Sequence, residues 1–298
     1  MTPDASETWP LAEPYDFLET TRWLRLGVRD PTVRRDADAL WRTSHTADGP
    51  ATVRIAVSGT RLRADAWGPG AATVLPEIPR WVGLHEPRWV LPAHPVVDRL
   101  LRTYSGVRLT DTRDVFDATI NTVLQQLVTW EHAAMTWRRL CERHGEPAPG
   151  PIEMRLSPTP RAIRAAGTMH LQAAGVGLKQ ARTLMTVAGV AHAIRRAADL
   201  PTQEAATLLQ KVRGVGPWTA GMVLGMRLGR PEPVPIGDFH LPSTVAWALA
   251  GEPRADDARM LELLAPFGDQ GFRVVRLIWA AGIQAPRRGP RAPWRSGM

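Results

Sequence analysis

The sequence predicts an α+β protein that is mainly α, with an antiparallel β-sheet domain at its N-terminus and a larger helical part of two lobes behind it. Three observations predict this. Between residues 52 and 66, Val53, Ile55 and Val57 alternate with Thr52, Arg54 and Ala56, and Leu62, Ala64 and Ala66 alternate with Arg61, Arg63 and Asp65, the period of a half-buried strand. Asp48-Gly49 and Ser58-Gly59-Thr60 supply tight reversals before and between these runs. Beyond about residue 95 the apolar spacing changes to three and four, and no strand pattern returns.

Residues 1–14 are rich in Pro, Thr, Ser and acidic side chains and read as an irregular lead-in. Residues 15–92 form the α+β domain, closing in a Pro- and Gly-bearing connection over 68–95. Asp111 or Thr112 can cap a helix whose apolar face is Val115, Ile120, Val123, Leu124, Leu127 and Val128. The next helix carries Ala134, Trp137, Leu140 and Cys141 and stops near Gly145. Further helices fit 159–167, 178–189, 202–212, 217–228, 242–250, 256–265 and 270–282. Pro286-Arg287-Arg288-Gly289-Pro290-Arg291 begins a basic, proline-rich tail, 286–298, that reads as disordered.

With 298 residues the chain can bury a sizeable core. Its 37 Lys+Arg against 29 Asp+Glu give a net charge of +8, which favours a polyanionic partner. Nearly all of that charge is arginine, since Lys179 and Lys211 are the only lysines. A GC-rich genome accounts for arginine in place of lysine but not for the net sign. The single cysteine, Cys141, excludes an intramolecular disulfide and a four-cysteine iron–sulfur cluster, and reads as a small buried residue on a helix. The eight histidines are scattered, so neither a catalytic metal nor an organic cofactor is expected. No apolar run of membrane-spanning length and no leader pattern occur, so a cytoplasmic, nucleoid-associated location is expected.

The most informative segment is 208–220, where Gly214-Val215-Gly216 lies between two helix-compatible runs. Both glycines permit a tight turn and close approach of the backbone to another molecule. Pro217 suits a first helical position, and the unpaired amides around it can receive a phosphate. Leu209 and Val212 before the turn, Val215 within it, and Ala220, Val223 and Leu224 after it let the two helices pack together. A glycine turn alone equally fits a plain chain reversal; an aspartate, Asp238, 20 residues after Trp218, makes the pattern more specific.

At 212–220, with Val-Pro-Ile-Gly-Asp at 234–238 and Thr-Val-Leu-Gln-Gln-Leu-Val at 122–128, the chain resembles the helix-hairpin-helix DNA glycosylase superfamily, and within it the 3-methyladenine DNA glycosylase II branch. Leu-Ile-Trp at 277–279 is a fainter match, and together the matches cover most of residues 15–285. The resemblance implies a fold of two helical lobes, one of 112–228 ending in the hairpin and one of 93–111 with 229–285 carrying the catalytic acid. It implies a monomer acting on double-stranded DNA that contains a damaged base, away from any membrane. Hairpin carbonyls would then hold a structural monovalent cation.

By position alone Asp238 reads first as an ordinary helix-entry residue, and it is the resemblance that places the family's catalytic aspartate on it. A carboxylate facing C1′ steadies an oxocarbenium-like centre or activates a water during glycosidic cleavage. Val212, Gly214, Gly216, Pro217 and Thr219 would bind the DNA backbone; Trp218, Met222, Phe239 and Trp279 would line the base pocket. Cationic alkylated purines would gain ~0.5–2 kcal/mol per tryptophan ring. Gln126 and Leu127 would fill the gap left by the everted nucleotide, although Leu127 also fits a helix's apolar stripe. Met222 stands where an aromatic is common and Gly237 where the branch often has a second acid; His240 has no counterpart and can contact a phosphate or the base, or merely close the loop. Relatives that also cut the strand carry a lysine where Trp218 stands, so the chain is expected to be monofunctional and to leave an abasic site. Two alternatives stay open: a DNA-binding or damage-sensing protein without turnover, and a glycosylase for deaminated or oxidised bases.

Overall fold

A computed structural model describes residues 1–286, so the tail expected at 286–298 falls, from residue 287 on, outside the described residues. The N-terminal domain comprises β1 (Ala5–Pro10), α1 (Phe17–Thr21), β2 (Val33–Arg35), β3 (Ala39–Thr46), β4 (Gly49–Ser58) and β5 (Arg61–Trp67). Its strands make one antiparallel sheet in the order β1-β5-β4-β3-β2. Two-residue loops join Thr46 to Gly49 and Ser58 to Arg61, at the reversals read from the sequence. Val53 pairs with Ala66, Ile55 with Ala64 and Val57 with Leu62, so the alternating apolar residues share one face, and α2 (Ala71–Val74) and α3 (Ile78–Trp81) pack on it.

Two expectations for this domain are corrected, and one strand gave no signal to read. Residues 1–14 are not wholly irregular, because β1 adds to the sheet edge beside β5. Of its side chains only Ala5 and Trp9 pack on the core, and an edge strand held by backbone pairing shows no apolar alternation to read. β2 also escaped notice, at three residues too short for a period. In the 68–95 connection, Pro76 and Pro79 sit in the first turns of short helical segments instead of breaking them, and Leu75, Ile78 and Trp81 cover the sheet.

The helical part comprises α4 (Pro95–Thr103), α5 (Val115–Leu124), α6 (Trp130–His144), α7 (Pro160–Ala173), α8 (Leu178–Gly189), α9 (Ala191–Ile194), α10 (Thr202–Gln210), α11 (Pro217–Arg227), α12 (Leu241–Ala250), α13 (Asp257–Leu264) and α14 (Gly271–Ala280). One apolar core gathers Ile120, Leu124, Trp137, Leu140, Leu184 and Val223 from α5 to α11. A second joins Val97 and Leu100 of α4 to Val245, Met260, Phe272 and Val275 of α12–α14. Helix α11 belongs to both: Leu224 lies in the first and Met226 in the second, with Gly225 against the Phe272 ring, where an added Cβ would stand 2.6 Å from Cζ. The hairpin ahead of α11 and the loop behind it therefore meet where the two cores join. Asp114, not Asp111 or Thr112, precedes α5, and its carboxylate pairs with Arg42 of β3. Gly167, with φ +64, kinks α7 rather than ending it. Cys141 is buried on α6. Among the described residues no helix is long and apolar enough to cross a membrane.

A buried polar seam ties the sheet domain to the helices. Asp30 accepts from Leu26 N at 2.7 Å, Thr32 N at 2.9 Å and Trp137 Nε1 at 3.0 Å. Close by, burial and the neighbouring Asp114 push the Asp117 carboxyl up to about 6, although Ser157 Oγ donates to it. A carboxyl raised above its unfolded value contributes stability below about pH 4 that is lost as pH rises through about 6. Asp117→Asn is therefore expected to raise the melting temperature more at pH 8 than at pH 4, which thermal unfolding at the two pH values will check.

Candidate active site

The hairpin turns as its sequence requires at one glycine and not at the other. Gly214 has φ +93, and a Cβ there would lie 2.1 Å from Thr183 Oγ1 of α8, so only glycine fits. Gly216 takes φ −95 and ψ −177, an extended conformation open to any residue. A Cβ on Gly216 would meet nothing within 4 Å, so a small side chain there would be accommodated without a clash. Pro217 occupies the first turn of α11. The helical ladder starts with Ala220 N to Gly216 O at 3.0 Å, which leaves the amides of Gly216, Trp218 and Thr219 at the positive end of the helix. Thr219 is 1% exposed and its hydroxyl accepts from Gln126 Nε2 at 2.9 Å, while the Val212 side chain is buried. These two can offer a ligand only backbone.

After α11 the chain returns through Val234-Pro235-Ile236 and turns at Gly237, whose φ is +87. Asp238 Oδ1 accepts from His240 N and Leu241 N, each at 2.8 Å, closing an Asx turn at the start of α12. Its other oxygen, Oδ2, accepts from Trp218 Nε1 at 2.8 Å. The 20-residue spacing thus becomes a direct contact between the first turn of α11 and the entry to α12, and both carboxylate oxygens are held in place.

Asp238 and Trp218 lie on the wall of a cleft of about 580 Å³, within the range of small-molecule sites. Met222, Trp279 and His240 also line it. Phe239 does not: it is 90% exposed, with its ring edge-on to His240 at 4.8 Å. The base-pocket reading of Phe239 is thereby corrected, since the turn that directs Asp238 inward sends the adjacent side chain outward.

The cleft contains aromatics that the sequence did not single out. Trp23, from the segment after α1, lies 5.7 Å from Trp279 and 6.0 Å from Trp130 at the start of α6. These three come from positions 23, 130 and 279, so no local pattern could join them. Arg22, Arg25 and Arg227 line the same cleft, where Asp238 is the only acid among the described residues that line it. Neither lysine lines it. Among the described residues no cluster of three or more His, Cys, Asp or Glu side chains is placed to hold a metal ion.

Leu127 is also relocated. Helix α5 ends at Leu124, so Leu127 is not on its buried stripe but on the following loop, 94% exposed, with φ +58. Val128, placed on the same stripe, is exposed beside it. Gln126 ties this loop to the hairpin, donating to Gly214 O at 3.0 Å as well as to Thr219.

No family model matches the chain. A curated protein, DNA-3-methyladenine glycosylase 2 of Escherichia coli (strain K12), is 32% identical over 124 residues. That match spans 41% of this chain and 44% of the relative, less than half of either. Among solved structures, 3-methyladenine DNA-glycosylase from Archaeoglobus fulgidus superposes with a TM-score of 0.77 at 18% identity, covering 92% of this chain and 97% of that one. The Clostridium acetobutylicum 8-oxoguanine glycosylase/lyase, solved with double-stranded DNA, gives 0.72 at 11% identity, covering 95% and 98%. At such identities the superpositions establish a shared fold. The chain has the fold of the helix-hairpin-helix DNA glycosylases, and the sequence it shares with DNA-3-methyladenine glycosylase 2 bears out the resemblance read from its motifs.

Proposed function

We propose that this chain is a monofunctional DNA glycosylase of base excision repair, which everts a damaged base from double-stranded DNA and hydrolyses its N-glycosidic bond. The observation that carries this reading is Asp238, anchored through both oxygens on the wall of a tryptophan-bearing cleft that α11, the second helix of the hairpin, also lines. In this reading the helix-start amides around Gly216 hold a backbone phosphate, Leu127 enters the stack, and the base rests among Trp218, Trp279 and Met222. The Asp238 carboxylate then faces the sugar, steadying positive charge as the bond breaks and orienting the attacking water. The names of the relatives support a DNA substrate, and an alkylated purine such as 3-methyladenine is the lesion we assign first. The enzyme acts as a monomer. The hairpin carbonyls suit a monovalent cation, since those of Val212 and Gly214 each accept one bond and a carbonyl oxygen can accept two.

One observation favours a second substrate class. A fixed positive charge on the base would meet Arg22, Arg25 and Arg227 around the cleft with Asp238 as the one opposing acid, and that like-charge repulsion is a cost that stacking must offset. A neutral, carbonyl-bearing base, deaminated or oxidised, avoids that cost. A panel of duplexes, each with one defined lesion, scored for released base, decides between the classes. Intact strands on every duplex after alkali would leave a DNA-binding or damage-sensing protein.

The absence of lysine from the cleft lining bears on strand cutting. A Schiff base needs an amine at the sugar carbon, and by the resemblance Trp218 stands where strand-cutting relatives carry one. Borohydride added during turnover is expected to trap no protein–DNA adduct, and strands are expected to break only after alkali. A trapped adduct would overturn the monofunctional reading.

A further inference from the structure

The wedge loop makes an unusual demand on its supports. Leu127 is a non-glycine residue with φ +58, almost fully exposed, directly beyond the end of α5. Such a conformation persists only where its surroundings impose it. The last carbonyls of a helix also need donors from outside the helix.

One side chain meets both needs. Gln180, on the first turn of α8 and 8% exposed, donates through Nε2 to Val123 O and Leu124 O, each at 3.2 Å, and to Gln126 O at 3.0 Å. Its Oε1 accepts from Gly177 N at 3.1 Å, which fixes the amide's orientation. One turn further along the same face of α8, Thr183 packs against Gly214 of the hairpin. The two loops that would touch DNA are therefore seated one turn apart on the same face of a single helix, and Gln126 bridges them directly.

We infer that Gln180 is a positioning residue for the Leu127 wedge, and that the Gln180–Thr183 face of α8 sets the distance between the wedge and the phosphate-gripping hairpin. Without the Gln180 amide, three carbonyls lose a shared donor, α5 is free to end differently, and Leu127 loses the geometry that points it outward. The inference rests on the wedge reading of Leu127. It requires that Gln180 act only when a paired base must be displaced, and only through Leu127.

The test is single-turnover base release by wild type, Gln180→Met, Leu127→Ala and the double variant. The lesion is one found active in the panel above, presented in a paired duplex and in a single strand. Gln180→Met is expected to slow release from the duplex about ten-fold, ~1.4 kcal/mol of the few that eversion costs, and to leave release from the single strand near wild type. The double variant is expected to be no slower than Leu127→Ala. Equal losses on both substrates, additive losses in the double variant, or no loss at all would overturn the inference. If Leu127→Ala alone is inert on the duplex, the wedge reading falls and this inference with it. Should Gln180→Met fail to fold, Gln180→Glu, which keeps the acceptor for Gly177 N and removes the donor to the three carbonyls, must show the same slowing on duplex and the same non-additivity with Leu127→Ala.

Discussion

Asp238→Asn is expected to slow base release from a lesion-bearing duplex by about 10²–10⁴-fold while leaving duplex affinity within a few-fold of wild type. The separation of the two effects follows from how the carboxylate is held. An asparagine Oδ1 can still accept from His240 N and Leu241 N, so the turn into α12 survives. The substitution removes the negative charge and faces the Trp218 N–H with an amide that cannot accept it in the same orientation. Melting temperature should therefore change little and binding should persist, while charge developing on the sugar loses its counterpart. A variant that released base at the wild-type rate would exclude Asp238 from the chemistry, and one that lost binding as well would make it structural.

The two hairpin glycines should part company, although the sequence presents them as equivalents. Gly214→Ala forces a Cβ into Thr183 Oγ1 at φ +93, a conformation that alone costs roughly 1–3 kcal/mol, so both melting temperature and DNA affinity should fall. Gly216→Ala fits its φ of −95 and meets nothing within 4 Å, so stability should stay within about 0.5 kcal/mol of wild type. Its effect should appear only on DNA, as a loss of about ten-fold shared by all sequences, because the contact removed is to phosphate. Unchanged affinity in Gly216→Ala would show that the open space beside it is not occupied by the backbone of DNA.

Much of this arrangement is legible without coordinates, for identifiable reasons. The strands β4 and β5 announce themselves because one face is buried and the other solvated. The hairpin announces itself because Gly214 has no steric substitute. Asp238 could be singled out because its partner Trp218 lies a fixed 20 residues away, across one helix and one loop. What escaped reading lacks such signals. β1 is held by backbone bonds that place few demands on its side chains. Trp23 and Trp130 are aromatic residues among 12 tryptophans until folding brings them beside Trp279. Gln180 looks like an ordinary helical residue until the end of α5 arrives against it.

By itself, then, the order of residues determined those features that rest on short-range chemistry: the alternation of the sheet, the helical run, the turn that only Gly214 can make, and the residue types able to grip phosphate and stabilise a developing cation. Tertiary structure alone decided which side chains share the cleft, that Phe239 points out while Asp238 points in, and that Leu127 leaves the core for solvent. The reason is one of range. Backbone conformation and periodicity are settled over a few residues, whereas a helix's last turn and a pocket's lining are settled by contacts between segments far apart in sequence, whose registry only the packed molecule defines.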